Sequence, residues 1–213
     1  MSASGSEQQQ KRTGLALLAH VLLTRLLTLI ALNLVFCLAA LPLVTLPNAL
    51  AALARCASLL LREEDFPLLK TFFRAFLSEF FKTLAAGWVV LLLLSGAIFG
   101  FVFYWSVSAA FALPFAVFCA VLAVALYLVA CNLFYMLARA SLPLGALLKN
   151  AFMLVFLQPL GKTALCLASL LLLGACAWWF PRSLPVVILI ACSLSALIAC
   201  YGVRDKIEQR IIR

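Results

Sequence analysis

Polar chemistry in and beside the apolar parts of this sequence rests on few residues: Asn33, Asn132, Arg55, Arg139 and Lys149. A carboxamide in lipid must hydrogen-bond across helices or hold a ligand. Arg55 and Arg139, joined by Lys149, could hold one anionic headgroup or phosphate, because guanidinium groups match phosphate oxygens in pairs. Their plainer reading is topology-setting charge. The seven acidic residues, Glu7, Glu63, Glu64, Asp65, Glu79, Asp205 and Glu208, all fall outside the apolar blocks. Ion-coupled transport usually uses a carboxylate or histidine within the membrane. Paired-acid hydrolysis and metal sites use carboxylates too. His20 is the sole histidine, near the start of the first block, with no nucleophile or orienting acid beside it. Ser95, Ser106, Ser108, Ser169, Ser193 and Ser195 are scattered, without a GxSxG, phosphate-loop or zinc-helix motif. No catalytic residue, metal or cofactor is expected, and an enzyme is not expected.

The elements that position these groups are set by lipid. The chain is 67% hydrophobic and 11% charged, with mean hydropathy +1.20, where a soluble domain is about a quarter charged. Its eight cysteines, Cys37, Cys56, Cys119, Cys131, Cys166, Cys176, Cys192 and Cys200, form no CxxC pair and sit in or beside apolar segments. They are expected to pack as small hydrophobes. The start, 1–13, reads as a disordered cytoplasmic tail and 14–203 as one membrane domain, with a basic tail over 204–213. One span needs about twenty apolar residues. The expected spans are about 20–42, 47–62, 84–106, 114–138, 163–181 and 184–203, with a turn at Pro42, Thr45 and Pro47.

Basic residues then orient the spans. Lys11, Arg12 and Arg25 precede the first block; Arg62, Lys70, Arg74 and Lys82 follow it; Arg139, Lys149 and Lys162 lie between the third and fourth spans. The opposite loops carry Arg182. Loops rich in Lys and Arg face the cytoplasm, so both termini are expected inside. Arg55, mid-way along the second span, leaves open whether 47–61 crosses or re-enters, since a central Arg costs about 2.5–3.5 kcal/mol on insertion scales.

Between the second and third spans lies FPLLKTFFRAFLSEFFKT, 66–83. At about 100° per residue, Phe66, Leu69, Phe72, Phe73, Phe76, Leu77 and Phe80 share one half of a helical wheel. Lys70, Thr71, Arg74, Ser78 and Lys82 share the other. This predicts an amphipathic helix over 66–82, lying in the interface or packing its Phe face on the bundle. The acidic run 62–65 reads as a solvated loop or as a favourable charge at that helix start. A second segment, 144–160, echoes the first. LARCASL (53–59) matches LARASL (137–142), LLK recurs at 68–70 and 147–149, Phe73 matches Phe152, and KT recurs at 82–83 and 162–163. The copies would form a parallel internal repeat.

The order Asn33, Leu41, Pro42, Thr45, Pro47, Ala51, Ala52, then Lys70, Thr71, Phe72, Phe73, Phe76 and Lys82 resembles the bacterial YesL-like membrane proteins, a family of unknown function. KNAF, at 149–152, resembles a later family feature. The resemblance implies a polytopic membrane protein associated with carbohydrate-uptake systems, and it supplies no catalytic residue. The expected fold is all-α: a polytopic transmembrane bundle of about six spans in a bacterial cytoplasmic membrane, with two cytoplasmic amphipathic segments. The expected function is a non-enzymatic accessory, scaffold or regulatory protein, docking through Lys70, Phe72, Phe73, Arg74, Phe76, Phe80 and Lys82. The alternative is a small transporter or binding component for an uncharged or hydrophobic solute. Its partners would be anionic lipid headgroups, membrane transporter subunits or further copies of the chain. Nucleic acid is not expected, because the basic residues punctuate apolar blocks instead of forming one patch.

Overall fold

The computed structural model describes residues 15–107, 112–139, 143–157 and 159–210. The expected tail over 1–13, with Lys11 and Arg12, and the last three residues of the LARASL match lie outside them. Among the described residues the fold is all-α, with no strand. Five helical segments are long and apolar enough to cross a membrane, and a bent pair of helices makes a sixth.

That bent pair corrects the first expected span. A single helix over about 20–42 is replaced by α1 (Leu15–Thr24) and α2 (Leu26–Ala40), whose axes meet at 83°. The break is at Arg25, which leaves the helical conformation and pairs with Asp65 at 2.6 Å. His20 Nε2 lies 3.8 Å from Glu63 Oε1. The acidic run is an exposed turn, as expected, and its contacts also link the α1–α2 elbow to the end of α3 (Leu46–Leu60). Asp65 stays largely exposed, so its ion pair contributes at most about 1 kcal/mol.

Pro42, in an extended conformation, stops α2, and a 3₁₀ turn over Leu43–Thr45 leads into α3, which carries Pro47 in its first turn. Thr45 Oγ1 reaches the carbonyls of Ala39 at 2.9 Å and Pro42 at 2.8 Å. The turn thus forms as the proline spacing predicts. Alanines and other small residues fill α3, which lets neighbouring helices approach closely. It packs against α2, α4, α5, α6 and α10 and is the most enclosed element of the bundle. Each arm of the α2–α3 hairpin has 15 residues, or about 22 Å of rise, against a hydrocarbon core of about 30 Å.

The helix expected over 66–82 is two pieces. α4 runs Leu68–Leu77, and α5 begins at Phe80 and continues to Ser106. Ser78 is extended and Glu79 is left-handed, with φ 47°. Pro67 precedes α4 rather than lying inside it, and no side chain caps that start. The buried Asn48 of α3 bridges the break, its Nδ2 donating to the carbonyls of Phe76 and Phe80 at 3.3 Å each. The Phe76 carbonyl lies in the last turn of α4, where helical carbonyls lose their ladder partners, whereas the Phe80 carbonyl opens the ladder of α5. Asn48→Leu should leave the Phe76 carbonyl without its cross-helix donor and speed amide exchange selectively over 76–83. Unchanged exchange there, measured by mass spectrometry, would remove the bridging role.

α5 and α6 (Ala112–Arg139) form a long antiparallel pair, with Gly100 against Cys119 and Gly87 against Phe134. α7 (Leu144–Leu157) packs on α6, and α8 (Leu160–Trp178) packs along α10. The last span starts as α9 (Leu184–Val186), passes through a π turn (Val187–Ala191) and continues as α10 (Cys192–Arg210). The expected tail from 204 is thus a helical continuation as far as Arg210. A junction between α7 and α8 follows about 80 residues after the one between α4 and α5, with Pro159 extended just before α8. Phe73 and Phe152 are both exposed, and Phe72 and Ala151 both buried, at matching places on α4 and α7.

Candidate functional site

Three links between neighbouring elements gather basic groups at one end of the bundle. Arg25 meets Asp65, Arg55 Nη1 donates to the Ala138 carbonyl at 3.1 Å, and Arg204 Nη1 donates to the Leu61 carbonyl at 3.1 Å. Arg55 therefore does not face lipid mid-span. It leaves α3 sideways, half-buried, toward the C-terminal end of α6.

There a groove of about 620 Å³ opens between α3, α4, the start of α5 and the end of α6. Its lining includes Arg55, Lys70, Arg74 and Arg139, with the hydroxyls of Thr71, Ser78 and Thr83. Arg55 and Arg139 are half-buried at its inner side, while Lys70 and Arg74 are exposed on α4. Glu79 is the carboxylate among the described lining residues, and Lys82 Nζ holds its Oε2 at 2.7 Å. The groove walls carry a clear excess of positive charge. A low-dielectric cleft lined by one sign of charge focuses its field on counter-ions.

α4 presents three faces. Leu68, Phe72 and Phe76 turn to the core, where Phe72 is fully buried and stacks on Phe76 at 6.4 Å between centroids. Lys70, Thr71, Arg74 and Ser78 line the groove. Leu69, Phe73 and Leu77 remain exposed. This corrects the docking set: Phe72 is a core residue, and the half-buried Phe76 and Phe80 pack edge to face at 6.1 Å across the helix break. Lys82 belongs to α5 and is occupied by Glu79. Phe73, Lys70 and Arg74 stay available. Lys149 is exposed on α7 and does not line the groove, so the expected trio with Arg55 and Arg139 is not assembled.

The intramembrane asparagines serve packing. Asn33 is fully buried; its Nδ2 donates to the carbonyls of Val187 at 2.8 Å and Ile188 at 2.7 Å, and its Oδ1 accepts from the Ser193 backbone N–H at 2.8 Å. It is threaded into the backbone of the π turn. Asn132 is buried and donates to the Leu128 carbonyl one turn back in α6, at 3.1 Å. Neither lines the groove, nor a second, apolar chamber of about 270 Å³ enclosed by Phe36, Leu53, Leu94, Tyr127, Cys131 and Leu173 among others.

Sequence reasoning passed over Asn48, Gly87 and Trp88. Trp88 Nε1 donates to the Val44 carbonyl at 3.0 Å, and Pro47 sits against Gly87, so both clamp the hairpin turn to α5. The visible signals were an Asn at a helix start and a Gly-Trp pair in an apolar run. Neither names its partner.

No curated protein and no solved structure matches the chain. Residues 29–105, from α2 almost to the end of α5, match the model of a protein family of unknown function, DUF624, the family of the YesL-like proteins; the resemblance stands over a stretch that includes Arg55, Lys70 and Arg74 and ends before Arg139.

Proposed function

We propose that this is a non-enzymatic accessory, scaffold or regulatory protein of a bacterial cytoplasmic membrane, docking a membrane partner through α4. The observation that carries the reading is the division of α4 into three faces. One face is anchored in the core by Phe72, one is cationic, and one leaves Leu69, Phe73 and Leu77 uncovered. A helix fixed on one side with an apolar edge beside basic residues suits the membrane interface. It also suits a neighbouring subunit whose approach Lys70 and Arg74 would steer. In this reading the basic end faces the cytoplasm, the α2–α3 hairpin enters and returns on that side, and both termini lie inside. The partner proposed is a transporter subunit of a carbohydrate-uptake system.

The test is crosslinking in native membranes, gentle-detergent purification and mass spectrometry. A stoichiometric transporter subunit should accompany the wild type. It should fall away from a Leu69→Ser, Phe73→Ser, Leu77→Ser triple variant whose melting temperature is unchanged. Recovery of this chain with lipid alone would sink the accessory reading. Phe72 is unsuitable for this test, because its removal empties the core.

The apolar chamber supports the second reading, a binding component for a hydrophobic solute. The accessory reading is preferred because Asn33 and Asn132, the polar groups a solute pathway would use, are committed to helix backbones.

A further inference from the structure

The geometry points to a phosphate-binding site: we propose that the groove formed by Arg55, Lys70, Arg74 and Arg139 holds a phosphate group, carried by a lipid headgroup or by a small soluble phosphoester. This goes beyond the docking role of α4: Arg55 of α3 and Arg139 of α6 line the groove as well, and Leu69, Phe73 and Leu77 are not among its lining residues.

Four cations reach this groove from three separate helices: α3 supplies Arg55, α4 supplies Lys70 and Arg74, and α6 ends on Arg139. Basic residues brought together by tertiary packing repel one another, a repulsion that a bound anion would offset. The one described carboxylate of the lining is already engaged by Lys82, which is not among the lining residues. Among the described residues, neither Lys70 nor Arg74 has a carboxylate within ion-pair distance.

The donors also suit the ligand. Arg55 is oriented by its bond to the Ala138 carbonyl, which limits its freedom before any ligand arrives. A half-buried, pre-oriented guanidinium gives directional donors for phosphate oxygens, while Lys70 adds a mobile point charge. The hydroxyls of Thr71 and Ser78 on the same wall can donate to further oxygens. A volume of about 620 Å³ falls in the range of small-molecule sites and leaves room for the glycerol or other alcohol that a phosphoester carries. The lipid and soluble sources share the phosphate and differ in whether an acyl tail must follow into the bilayer.

The experiment uses the full chain in phosphatidylcholine nanodiscs, titrated calorimetrically with inorganic phosphate and with glycerol 3-phosphate. In parallel, lipids retained through purification are read by native mass spectrometry after exposure to phosphatidic acid and phosphatidylglycerol. Saturable binding of glycerol 3-phosphate identifies a soluble ligand class. Retention of anionic lipid, with no response to the soluble probes, identifies a headgroup. In either case Arg55→Gln with Arg139→Gln should weaken binding by at least about tenfold, the loss expected when charge-assisted bonds are removed. Lys70→Gln with Arg74→Gln, both exposed and safe for folding, should weaken it several-fold, and Lys149→Gln should leave it unchanged. Absence of binding to every probe would overturn the site. So would equal losses in the Lys149 control and the Lys70/Arg74 variant. Partner capture by α4 is read in a different assay, so either idea can fail alone.

Discussion

Asn33→Leu is expected to destabilise the bundle more than any other polar-to-apolar exchange within its spans. Leucine shares asparagine's branching at Cγ but leaves the Val187 and Ile188 carbonyls and the Ser193 N–H without the partner they share. These groups lie where a π turn has already displaced the ordinary ladder. Water does not reach a dry bundle interior to replace the lost bonds. Each orphaned buried group costs about 1–3 kcal/mol, and a chain of this size loses about 2–4 °C of melting temperature per kcal/mol. Thermal unfolding in mild detergent should therefore fall by several degrees. Asn132→Leu is the matched comparison. Its bond goes to the Leu128 carbonyl of its own helix, a group that already lies within the α-helical ladder, so its loss should be clearly smaller. Equal shifts in the two variants would mean that Asn33 does not secure the π turn.

That contrast shows how far the sequence could be followed. An asparagine in an apolar run has to be bonded, and cross-helix bonding is the readier outcome, so the role of Asn33 was legible while its partners were not. The π turn has no marker in VILIA, because its stability comes from Asn33, some 155 residues away. The turn at Pro42 and Pro47 was legible, since proline restricts its own φ and the residue before it. The elbow at Arg25 carries no proline or glycine in the sequence, and the ion pair to Asp65 that accompanies it joins residues forty positions apart. The helix of 66–82 was read as one piece because Phe72, Phe76 and Phe80 keep helical spacing through the break. Two residues, Ser78 extended and Glu79 left-handed, interrupt the backbone without disturbing that pattern.

The site shows the same division. Periodicity placed Lys70 and Arg74 on one face of a helix, and the echo between LARCASL and LARASL singled out Arg55 and Arg139. Joining these pairs into one groove took the packing of α4 on α3 and the reach of Arg55 to Ala138. Lys149 was grouped with the arginines by charge and sequence proximity to Arg139, but α7 carries it elsewhere. Phe72 looked like its neighbour Phe73 on the wheel. A rotation of about 100° between adjacent residues was enough to put one in the core and leave the other outside.

Gly87→Ala should be the most damaging small substitution in α5, and it bears on the groove as well as on stability. A Cβ at Gly87 would stand 2.4 Å from Pro47 Cβ and 3.3 Å from Phe134 Cε1. A pyrrolidine ring cannot rotate away. Pro47 is also held in place, because Thr45 closes the turn before it and Trp88 binds the Val44 carbonyl. Forcing a methyl group into such a contact costs about 1–3 kcal/mol, more than the roughly 1 kcal/mol that alanine gains over glycine in a helix. Gly96, nine residues along in the same helix, meets nothing within 4 Å, so Gly96→Ala should be neutral or stabilising. Gly87→Ala should therefore lower the melting temperature and Gly96→Ala should not, and an equal fall in both would discard the close-contact argument. Any movement that relieves Gly87→Ala must push the start of α3 away from α5. Arg55 on α3 and Thr83 on α5 both line the groove, so that movement would change its width. Phosphate-probe affinity should accordingly fall in Gly87→Ala and stay unchanged in Gly96→Ala, although neither glycine is among the lining residues.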